Sequence, residues 1–236
     1  MFLLSPLFIY SFLRREVQGG NTLYKVCRIW ADLFFALTGI RHTNIFEEEV
    51  DHAKQYIFVS NHISYLDIPM MMKAIKRQHI RILGKAEMSS IPIFGLIYKK
   101  AVVVVDRENA AQRKKSIKHL IAFLKLHISV FICPEGTFNM TNCPLKSFYS
   151  GAFQIAIETQ NPIRPILFLD TYDRLNYHSI FSLNPGRCRA VFLAETSTEG
   201  LTLQDLPMLK EKVYRQMENS LIRYKASWIK EQSCQQ

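Results

Sequence analysis

The amino-acid sequence predicts an α/β fold: a single-domain, mixed-sheet α/β sandwich behind an N-terminal, membrane-associating helical segment. Short apolar runs of strand length alternate with amphipathic runs of helix length, which is typical of a sheet covered by helices. One apolar run, Val102–Val105, is β-branched throughout, as expected of a strand that is covered on both faces. By contrast, Met1–Leu37 is rich in aliphatic and aromatic side chains, which favours contact with a membrane.

The N-terminal segment, residues 1–40, is predicted to contain two helices that lie on a membrane surface. Met1–Leu13 is almost entirely apolar, but thirteen helical residues reach only about 20 Å, which is less than the roughly 30 Å of a hydrocarbon core. A second helix is predicted over Thr22–Leu37, with Asn21 as its N-cap, because apolar residues recur there at helical spacing. The alternative is that both helices pack on the core of the domain that follows, which we place at residues 41–236.

The predicted elements of the domain follow one another as strands and helices. The predicted strands are Tyr56–Ser60, Ile80–Leu83, Ala101–Val105, Ser129–Cys133, Ile163–Leu169 and Cys188–Ala194. The predicted helices are Tyr65–Ile75, Ala110–Leu126, Gly151–Glu158 and Leu203–Lys225. His62, Asp106-Arg107 and Pro134–Thr137 each come just after a predicted strand, and the carboxyl ends of strands are where open α/β sheets build their sites.

The composition narrows the class of partner. With 48% hydrophobic and 21% charged residues, the chain has the make-up of a globular protein. Thirty Lys and Arg residues against 20 Asp and Glu residues give a formal net charge of +10, which indicates an anionic partner: nucleic acid, an acidic lipid surface or a phosphorylated cosubstrate. No nucleic-acid-binding module is recognisable, and the apolar N-terminus favours lipid, so we expect a membrane surface and no nucleic acid as partner.

The five cysteines are scattered along the chain, at Cys27, Cys133, Cys143, Cys188 and Cys234. None of them forms a Cys or Cys/His cluster with the spacing of a metal site. We therefore expect no metal site, and we expect free thiols in a reducing compartment.

A histidine and an aspartate lie five positions apart just after the first predicted strand of the domain. In Asn61-His-Ile-Ser-Tyr-Leu-Asp67, Ser64 is a candidate cap for the helix predicted to begin near Tyr65, which places Asp67 in its first turn. Asp67 can then fold back and accept the Nδ1–H of His62, which leaves Nε2 as a base. Without a Ser or Cys nucleophile, such a pair suits direct attack by a substrate hydroxyl on an acyl thioester. The spacing by itself is weak evidence, because a helix-capping Asp beside an ordinary His gives the same pattern.

Four sequence blocks follow one another in a set order. They are Asn61-His-Ile-Ser-Tyr-Leu-Asp67; Gly84-Lys-Ala-Glu87 through Pro92-Ile-Phe-Gly95 to Val105-Asp-Arg107; Cys133-Pro-Glu-Gly-Thr137; and Asn161-Pro-Ile-Arg-Pro165. The ordered set resembles the glycerolipid acyltransferase family, of the 1-acylglycerol-3-phosphate O-acyltransferase type, over about residues 50–170.

The resemblance implies an enzyme of phospholipid synthesis with His62 as general base and Asp67 as the group that orients it. The enzyme would move a fatty acyl group to the free hydroxyl of 1-acylglycerol-3-phosphate. Its cosubstrate would be the thioester of acyl-CoA or of acyl carrier protein, with no cofactor beyond it. Its expected partners are the lysophospholipid acceptor, the acyl thioester donor, the membrane surface and, as a further candidate, acyl carrier protein. The expected location is the cytoplasmic face of the inner (plasma) membrane.

The resemblance also implies a set of substrate-binding residues. Arg107 matches the arginine that contacts the acceptor's phosphate, a role that suits a planar guanidinium; the alternative is a surface ion pair. Glu135, Gly136 and Thr137 match a block that shapes the acceptor site, and backbone amides around a glycine-containing turn can serve an anionic oxygen. The alternative for Glu135 is a carboxylate that orders its own loop. Lys85 matches a position with a structural or acceptor-facing role.

Two short stretches depart from the pattern of the family. Family members usually continue Pro-Glu-Gly-Thr with Arg-Ser, whereas Phe138-Asn139 follow here, and Tyr149 stands where a lysine is common. Both missing cations are expected to hold the acceptor's phosphate, and each such charge-assisted contact is worth roughly 1.5–3 kcal/mol. Lys146 and Arg164 are the candidates to replace them. The alternatives are an O-acyltransferase for a different lysolipid, such as a lyso-aminolipid, and a non-catalytic lipid-binding protein.

Overall fold

The computed structural model of the protein describes residues 16–90, 94–106 and 109–230. The predicted apolar helix over Met1–Leu13 and the predicted phosphate ligand Arg107 lie outside the described residues. The division of the chain at residue 40 into a membrane-associating segment and a catalytic domain stays a prediction.

The described strands form one mixed sheet. They are β1 (Ile40–Phe46), β2 (Ile57–Ser60), β3 (Ile80–Lys85), β4 (Val102–Val105), β5 (Ser129–Ile132), β6 (Ile163–Phe168) and β7 (Gly186–Phe192). The seven strands lie in the order β1-β7-β6-β2-β5-β3-β4, and β6 pairs with β7 antiparallel while all other neighbours are parallel. The predicted mixed α/β fold is therefore confirmed. Strands β2 to β6 all end at one edge of the sheet, called the carboxyl edge below, and β1 and β7 begin there.

Helices cover both faces of the sheet. The described helices are α1 (Glu16–Leu37), α2 (Asp67–Ala74), α3 (Phe94–Ala101), α4 (Ala110–Lys125), α5 (Gly151–Thr159), α6 (Thr171–Arg174) and α7 (Leu206–Arg223), with 3₁₀ turns at Ala86–Ser90 and Leu203–Asp205. One apolar cluster joins α1 and α2 to one face of the sheet, and a second joins α4, α5 and α7 to the other. The stripe of α7 that includes Leu209, Val213 and Met217 is buried in the second cluster, so these residues pack in the core.

Strand β1 and helices α3 and α6 have no counterpart among the predicted elements. β1 mixes polar and apolar residues because it is the outermost strand, and its seven residues pair in register with β7 far along the chain. Helix α1 begins at Glu16, well before the predicted start, so Asn21 lies inside the helix and its predicted role as N-cap is wrong.

Helix α1 has one buried face and one exposed apolar row. Leu23, Tyr24, Val26, Ala31 and Phe35 are buried against the domain, whereas Ile29, Trp30, Leu33 and Leu37 are 46%, 37%, 54% and 86% exposed. Among the described helices, none combines the length and the hydropathy that a membrane span needs.

The cysteines differ from the expectation in one respect. Cys27, Cys133 and Cys188 are free thiols, whereas Cys143 is disulfide-bonded. The prediction that every cysteine is a free thiol is therefore wrong for Cys143.

Candidate active site

The polar segment after β2 is anchored to the sheet by Asn61. Its buried side chain donates from Nδ2 to the Phe168 carbonyl oxygen at 3.1 Å and accepts the Phe168 N–H on Oδ1 at 2.8 Å. These two hydrogen bonds continue the pairing of β2 with β6 beyond the end of the strand. Because His62 follows directly, its main chain leaves the carboxyl edge in a defined direction.

The carboxylate of Asp67 accepts three hydrogen bonds from the segment that contains His62. Its Oδ2 atom accepts hydrogen bonds from Nδ1 of His62 at 2.8 Å and from the N–H groups of Ile63 at 2.8 Å and Ser64 at 2.9 Å. Asp67 is the first residue of α2, where unpaired N–H groups and the helix dipole favour an anion. The His62 side chain stays 21% exposed while Asp67 is fully buried, so the imidazole can meet a substrate and the carboxylate cannot.

Ser64 acts before the helix rather than as its cap. The N-cap position is Leu66, which makes no side-chain cap, so the predicted capping by Ser64 is wrong. The Ser64 hydroxyl instead accepts the Leu66 N–H at 2.9 Å and donates to the Leu175 carbonyl oxygen. Ser64 therefore fixes the turn that lets Asp67 reach back to His62.

The loop after β5 holds the main chain of His62 on both sides. Glu135 Oε1 accepts the His62 N–H at 2.9 Å, and the Asn139 N–H donates to the His62 carbonyl oxygen at 2.7 Å. The second oxygen of Glu135 accepts the Lys146 N–H at 2.8 Å. Gly136 has a φ of +76°, a left-handed conformation that glycine adopts without strain, and it turns the loop at this point. Both Glu135 oxygens are used by main-chain donors, so this carboxylate orders the loop, and a direct contact with substrate stays a prediction.

The ionisation of Glu135 gives the stability a pH dependence with a defined sign. Burial raises the pKa of the Glu135 carboxyl from 4.5 to about 8, against the main-chain hydrogen bonds from Lys146 and His62, which lower it. The folded protein therefore binds more protons than the unfolded chain between these two values, and that stabilisation is lost as the pH rises through the interval. The Tm of the wild type is expected to fall relative to that of Glu135→Gln, which cannot ionise, between about pH 5 and pH 8. Thermal unfolding of both proteins across this range checks the prediction, and a constant difference in Tm contradicts it.

Aromatic side chains surround the position at which the resemblance implies an arginine. The Phe138 ring packs against the His62 imidazole with centroids 4.4 Å apart, and it also contacts Tyr65 at 5.0 Å and Tyr177 at 6.3 Å. Asn139 is buried and donates from its side chain to the Cys143 carbonyl oxygen at 2.9 Å. Neither Phe138 nor Asn139 supplies a cation to the site.

Of the two candidate replacement cations, the structure places Lys146 at the site and Arg164 away from it. The Lys146 ammonium donates to Thr137 Oγ1 at 2.6 Å and has no carboxylate within 4.0 Å among the residues described. Arg164 is fully buried near the start of β6, at the opposite edge of the sheet, where it pairs with Glu48 at 2.8 Å. Arg164 is therefore not a substitute for the missing arginine.

Lys85 lies at the same edge as His62 but not beside it. It is the last residue of β3, which is separated from β2 by β5 in the sheet. Two strand spacings amount to about 10 Å, and a contact of Lys85 with substrate stays a prediction.

The geometry supports proton transfer by His62. Because Nδ1–H donates to Asp67, the lone pair of the neutral ring is on Nε2, which can accept a proton from a bound hydroxyl. In the part of the chain that the structure describes, no group of three or more His, Cys, Asp or Glu side chains is placed to hold a metal ion. Asn61 and Ser64 both position the pair, although the sequence assigned no role to Asn61 and a different one to Ser64. The available signal for Asn61 is a polar residue at the end of an apolar strand.

Comparisons with known proteins show which family the chain is similar to. The model of the acyltransferase family matches residues 41–169 of the chain. The chain is 32% identical over 164 residues to the 1-acyl-sn-glycerol-3-phosphate acyltransferase alpha of Mus musculus, and the match covers 69% of this chain and 57% of that protein. It is 30% identical to the Homo sapiens alpha protein, with 85% of this chain and 71% of that protein covered. The fold resembles the crystal structure of the 1-acyl-sn-glycerophosphate acyltransferase PlsC of Thermotoga maritima, with a TM-score of 0.70, 21% identity and coverage of 97% and 91% of the two chains.

Proposed function

This chain belongs to the acyltransferase family, and from that premise we propose that it acylates the free hydroxyl of 1-acylglycerol-3-phosphate in phospholipid synthesis. The observation that carries the proposal is the hydrogen bond of 2.8 Å between His62 Nδ1 and the fully buried Asp67 carboxylate. The relatives described above are named for this acceptor, which supports its choice.

His62 performs the proton transfers of the proposed reaction. Its Nε2 takes the proton of the acceptor hydroxyl while the hydroxyl oxygen bonds to the carbonyl carbon of the thioester. Asp67 stabilises the imidazolium through Nδ1–H and does not itself become protonated. When the carbon–sulfur bond breaks, the imidazolium returns the proton to the thiolate, and the ester and a free thiol leave. The donor is the thioester of acyl-CoA or acyl carrier protein, and the chemistry requires no further cofactor.

Lys146 is our candidate for the cation that holds the acceptor's phosphate. Its ammonium donates a hydrogen bond to the Thr137 hydroxyl. Thr137 belongs to the same turn as Glu135, which accepts the main-chain N–H of His62. A phosphate bound beside Thr137 would contact the Lys146 ammonium, on a loop that is hydrogen-bonded to the main chain of His62. Arg107 remains a predicted second ligand of the same phosphate.

Replacing Lys146 by methionine is expected to raise the KM for lysophosphatidate by about 10- to 100-fold, because one charge-assisted hydrogen bond of roughly 1.5–3 kcal/mol is lost. The kcat should change much less, since the base is untouched. Steady-state kinetics at varied acceptor concentration measures both constants. Lys118→Met, on the exposed face of α4, is the matched control and should keep the wild-type KM. An unchanged KM in Lys146→Met would remove this residue from the acceptor site.

A lyso-aminolipid is the second candidate acceptor. The observation that favours it is the Phe138 ring, which packs on His62 at the position for which the resemblance implies a phosphate-binding arginine. An aromatic wall suits a less charged headgroup better than a phosphate dianion.

A panel of lyso acceptors distinguishes the candidates. Purified protein is given labelled acyl-CoA or acyl carrier protein thioester with lysophosphatidate, lyso-aminolipids and other lysolipids. Turnover of lysophosphatidate alone supports the first proposal, and turnover of a lyso-aminolipid alone replaces it with the second. A protein that binds these lipids but transfers no acyl group to any of them is a non-catalytic lipid-binding protein.

We place the protein at a membrane, on the cytoplasmic face of the inner (plasma) membrane. The exposed row of α1, formed by Ile29, Trp30, Leu33 and Leu37, supports this location because it presents apolar surface along one side of a helix. The net charge of +10 suits a surface of anionic lipids. The acceptor is itself an amphiphile that resides in such a surface.

A further inference from the structure

A charge-free loop beside the site holds large apolar side chains in solvent. Residues 175–185 connect α6 to β7 and include no Asp, Glu, Lys or Arg. At the tip of this loop, Ile180, Phe181 and Leu183 are 66%, 89% and 40% exposed. Clustered apolar side chains of this size are rarely left in water, so the loop has the character of an interaction surface.

The base of the loop is attached to the candidate active site. Ser64, which shapes the turn before Asp67, donates its hydroxyl hydrogen to the Leu175 carbonyl oxygen. Tyr177 stacks on Phe138 with centroids 6.3 Å apart, and Phe138 in turn packs against His62 at 4.4 Å. The loop therefore projects from the wall of the site, at the carboxyl edge of the sheet.

The end of α1 reaches the same edge. Gly186, which follows the loop, donates its N–H to the Gly39 carbonyl oxygen at 3.1 Å. Leu37, which ends the exposed apolar row of α1, is 86% exposed just before this junction. The end of α1 and the end of the loop thus lead to neighbouring residues where β1 and β7 begin.

Two arginines lie side by side next to this junction. Arg41 and Arg187 are register partners on the parallel strands β1 and β7, and both are exposed. Neither has a carboxylate partner among the described residues, and the nearby Asp170 is held by Arg189 at 2.7 Å. Like charges placed directly opposite each other are unfavourable unless an anion is bound between them.

We propose that Leu37, Arg41, Arg187 and the loop tip Ile180–Leu183 form a second membrane contact, specific for anionic lipid. The tip enters the headgroup region of the bilayer, and the two arginines bind lipid phosphates. An acidic protein would also complement the arginines, but the exposure of Ile180 and Phe181 favours a bilayer. This surface rests on the proposed membrane location and extends it, because it turns the His62 side of the molecule towards the lipid that carries the acceptor.

Vesicle flotation of the full chain tests the surface. The partition coefficient is measured on phosphatidylcholine vesicles with and without phosphatidylglycerol. Arg41→Gln/Arg187→Gln is expected to lose about 30-fold in partition on the anionic vesicles and little on the zwitterionic ones, since each basic residue near an anionic surface contributes about fivefold. Ile180→Ser/Phe181→Ser is expected to lose at least tenfold on both, because burial of two large apolar side chains is removed.

Matched variants at other positions control for charge and hydropathy. Arg77→Gln/Lys118→Gln removes the same charge, and Leu203→Ser removes an exposed apolar side chain at the opposite edge of the sheet; both should bind like the wild type. Wild-type partition of either loop or arginine variant overturns the proposal. So does a variant that binds vesicles normally but loses transfer only from the acidic acyl carrier protein.

Acyl transfer in detergent micelles separates this surface from the proposed function. Micelles present the acceptor without a bilayer, so both variants should keep the wild-type rate there. If the wild type itself transfers no acyl group in micelles, the proposed function fails while the vesicle result still stands.

Discussion

Replacing His62 by alanine is expected to lower the kcat of acyl transfer by about 10²- to 10⁴-fold, the contribution that a general base typically makes. The imidazole is the only group of the pair that reaches solvent, and its Nε2 is the atom placed to accept the hydroxyl proton. The residual rate would come from positioning of the two substrates and from binding of the developing oxygen anion. Initial rates with a labelled acyl thioester measure the loss.

The controls for His62→Ala separate chemistry from folding. His52→Ala removes an imidazole from an exposed loop at the opposite edge of the sheet and should keep the wild-type rate. Some loss of Tm is expected in His62→Ala, because the buried Asp67 carboxylate loses the Nδ1–H of His62, so rates are compared well below the Tm of the variant. A folded His62→Ala protein that transfers acyl groups at the wild-type rate would withdraw the assignment of His62 as the base.

Asp67→Asn is expected to cost about 10²- to 10⁴-fold in kcat although Asp67 does not touch substrate, since loss of the orienting carboxylate has effects of this order in comparable His–Asp pairs. The Nδ1–H of His62 and the N–H groups of Ile63 and Ser64 all donate to the same Oδ2 atom of Asp67. An amide oxygen in that position is neutral, so it stabilises the imidazolium less than the carboxylate does. If the amide NH₂ faces the ring, it favours the tautomer with the proton on Nε2, which is no longer a base.

The kinetic constants show whether Asp67 acts through His62. As a positioning residue it should lower kcat and leave the KM for the acceptor nearly unchanged. Asp205→Asn is the matched control, because the Asp205 carboxylate also accepts a main-chain N–H, from Thr202 at 2.8 Å, but does so before α7 and away from His62. Some loss of stability is expected in Asp67→Asn, about 1–3 kcal/mol for an imperfectly paired buried group, so rates are compared well below its Tm. A wild-type kcat in Asp67→Asn would show that Asp67 does not act through His62.

The contact between His62 and Asp67 and most of the sheet could be predicted, because both depend on residues that are close together in the sequence. The apolar runs that become β2, β5 and β6 are buried on both faces, and burial of that kind leaves a continuous apolar stretch in the sequence. His62 and Asp67 are five positions apart. His62 follows strand β2 and Asp67 begins helix α2, so the short turn between the two elements is enough to bring the side chains together.

The tertiary structure decided the contacts between segments that are distant in the chain. Strand β1 exists because it pairs with β7, and its own residues carry no apolar run. Glu135 holds His62 across 73 positions, and which loops meet at the carboxyl edge depends on the strand order β6-β2-β5.

The two candidate replacement cations illustrate the same division. Lys146 and Arg164 are both basic residues near recognisable blocks, and the sequence offers no way to choose between them. In the folded chain, β6 runs parallel to β2, so Arg164 near its start lies at the edge opposite His62, while the loop that carries Lys146 returns to Thr137. Sequence alone determined the fold class and the contact between His62 and Asp67, because both depend on the periodicity and spacing of residues that are close together in the chain. Tertiary structure decided which charges surround the pair, because strand order and direction set the edge of the sheet at which each side chain lies.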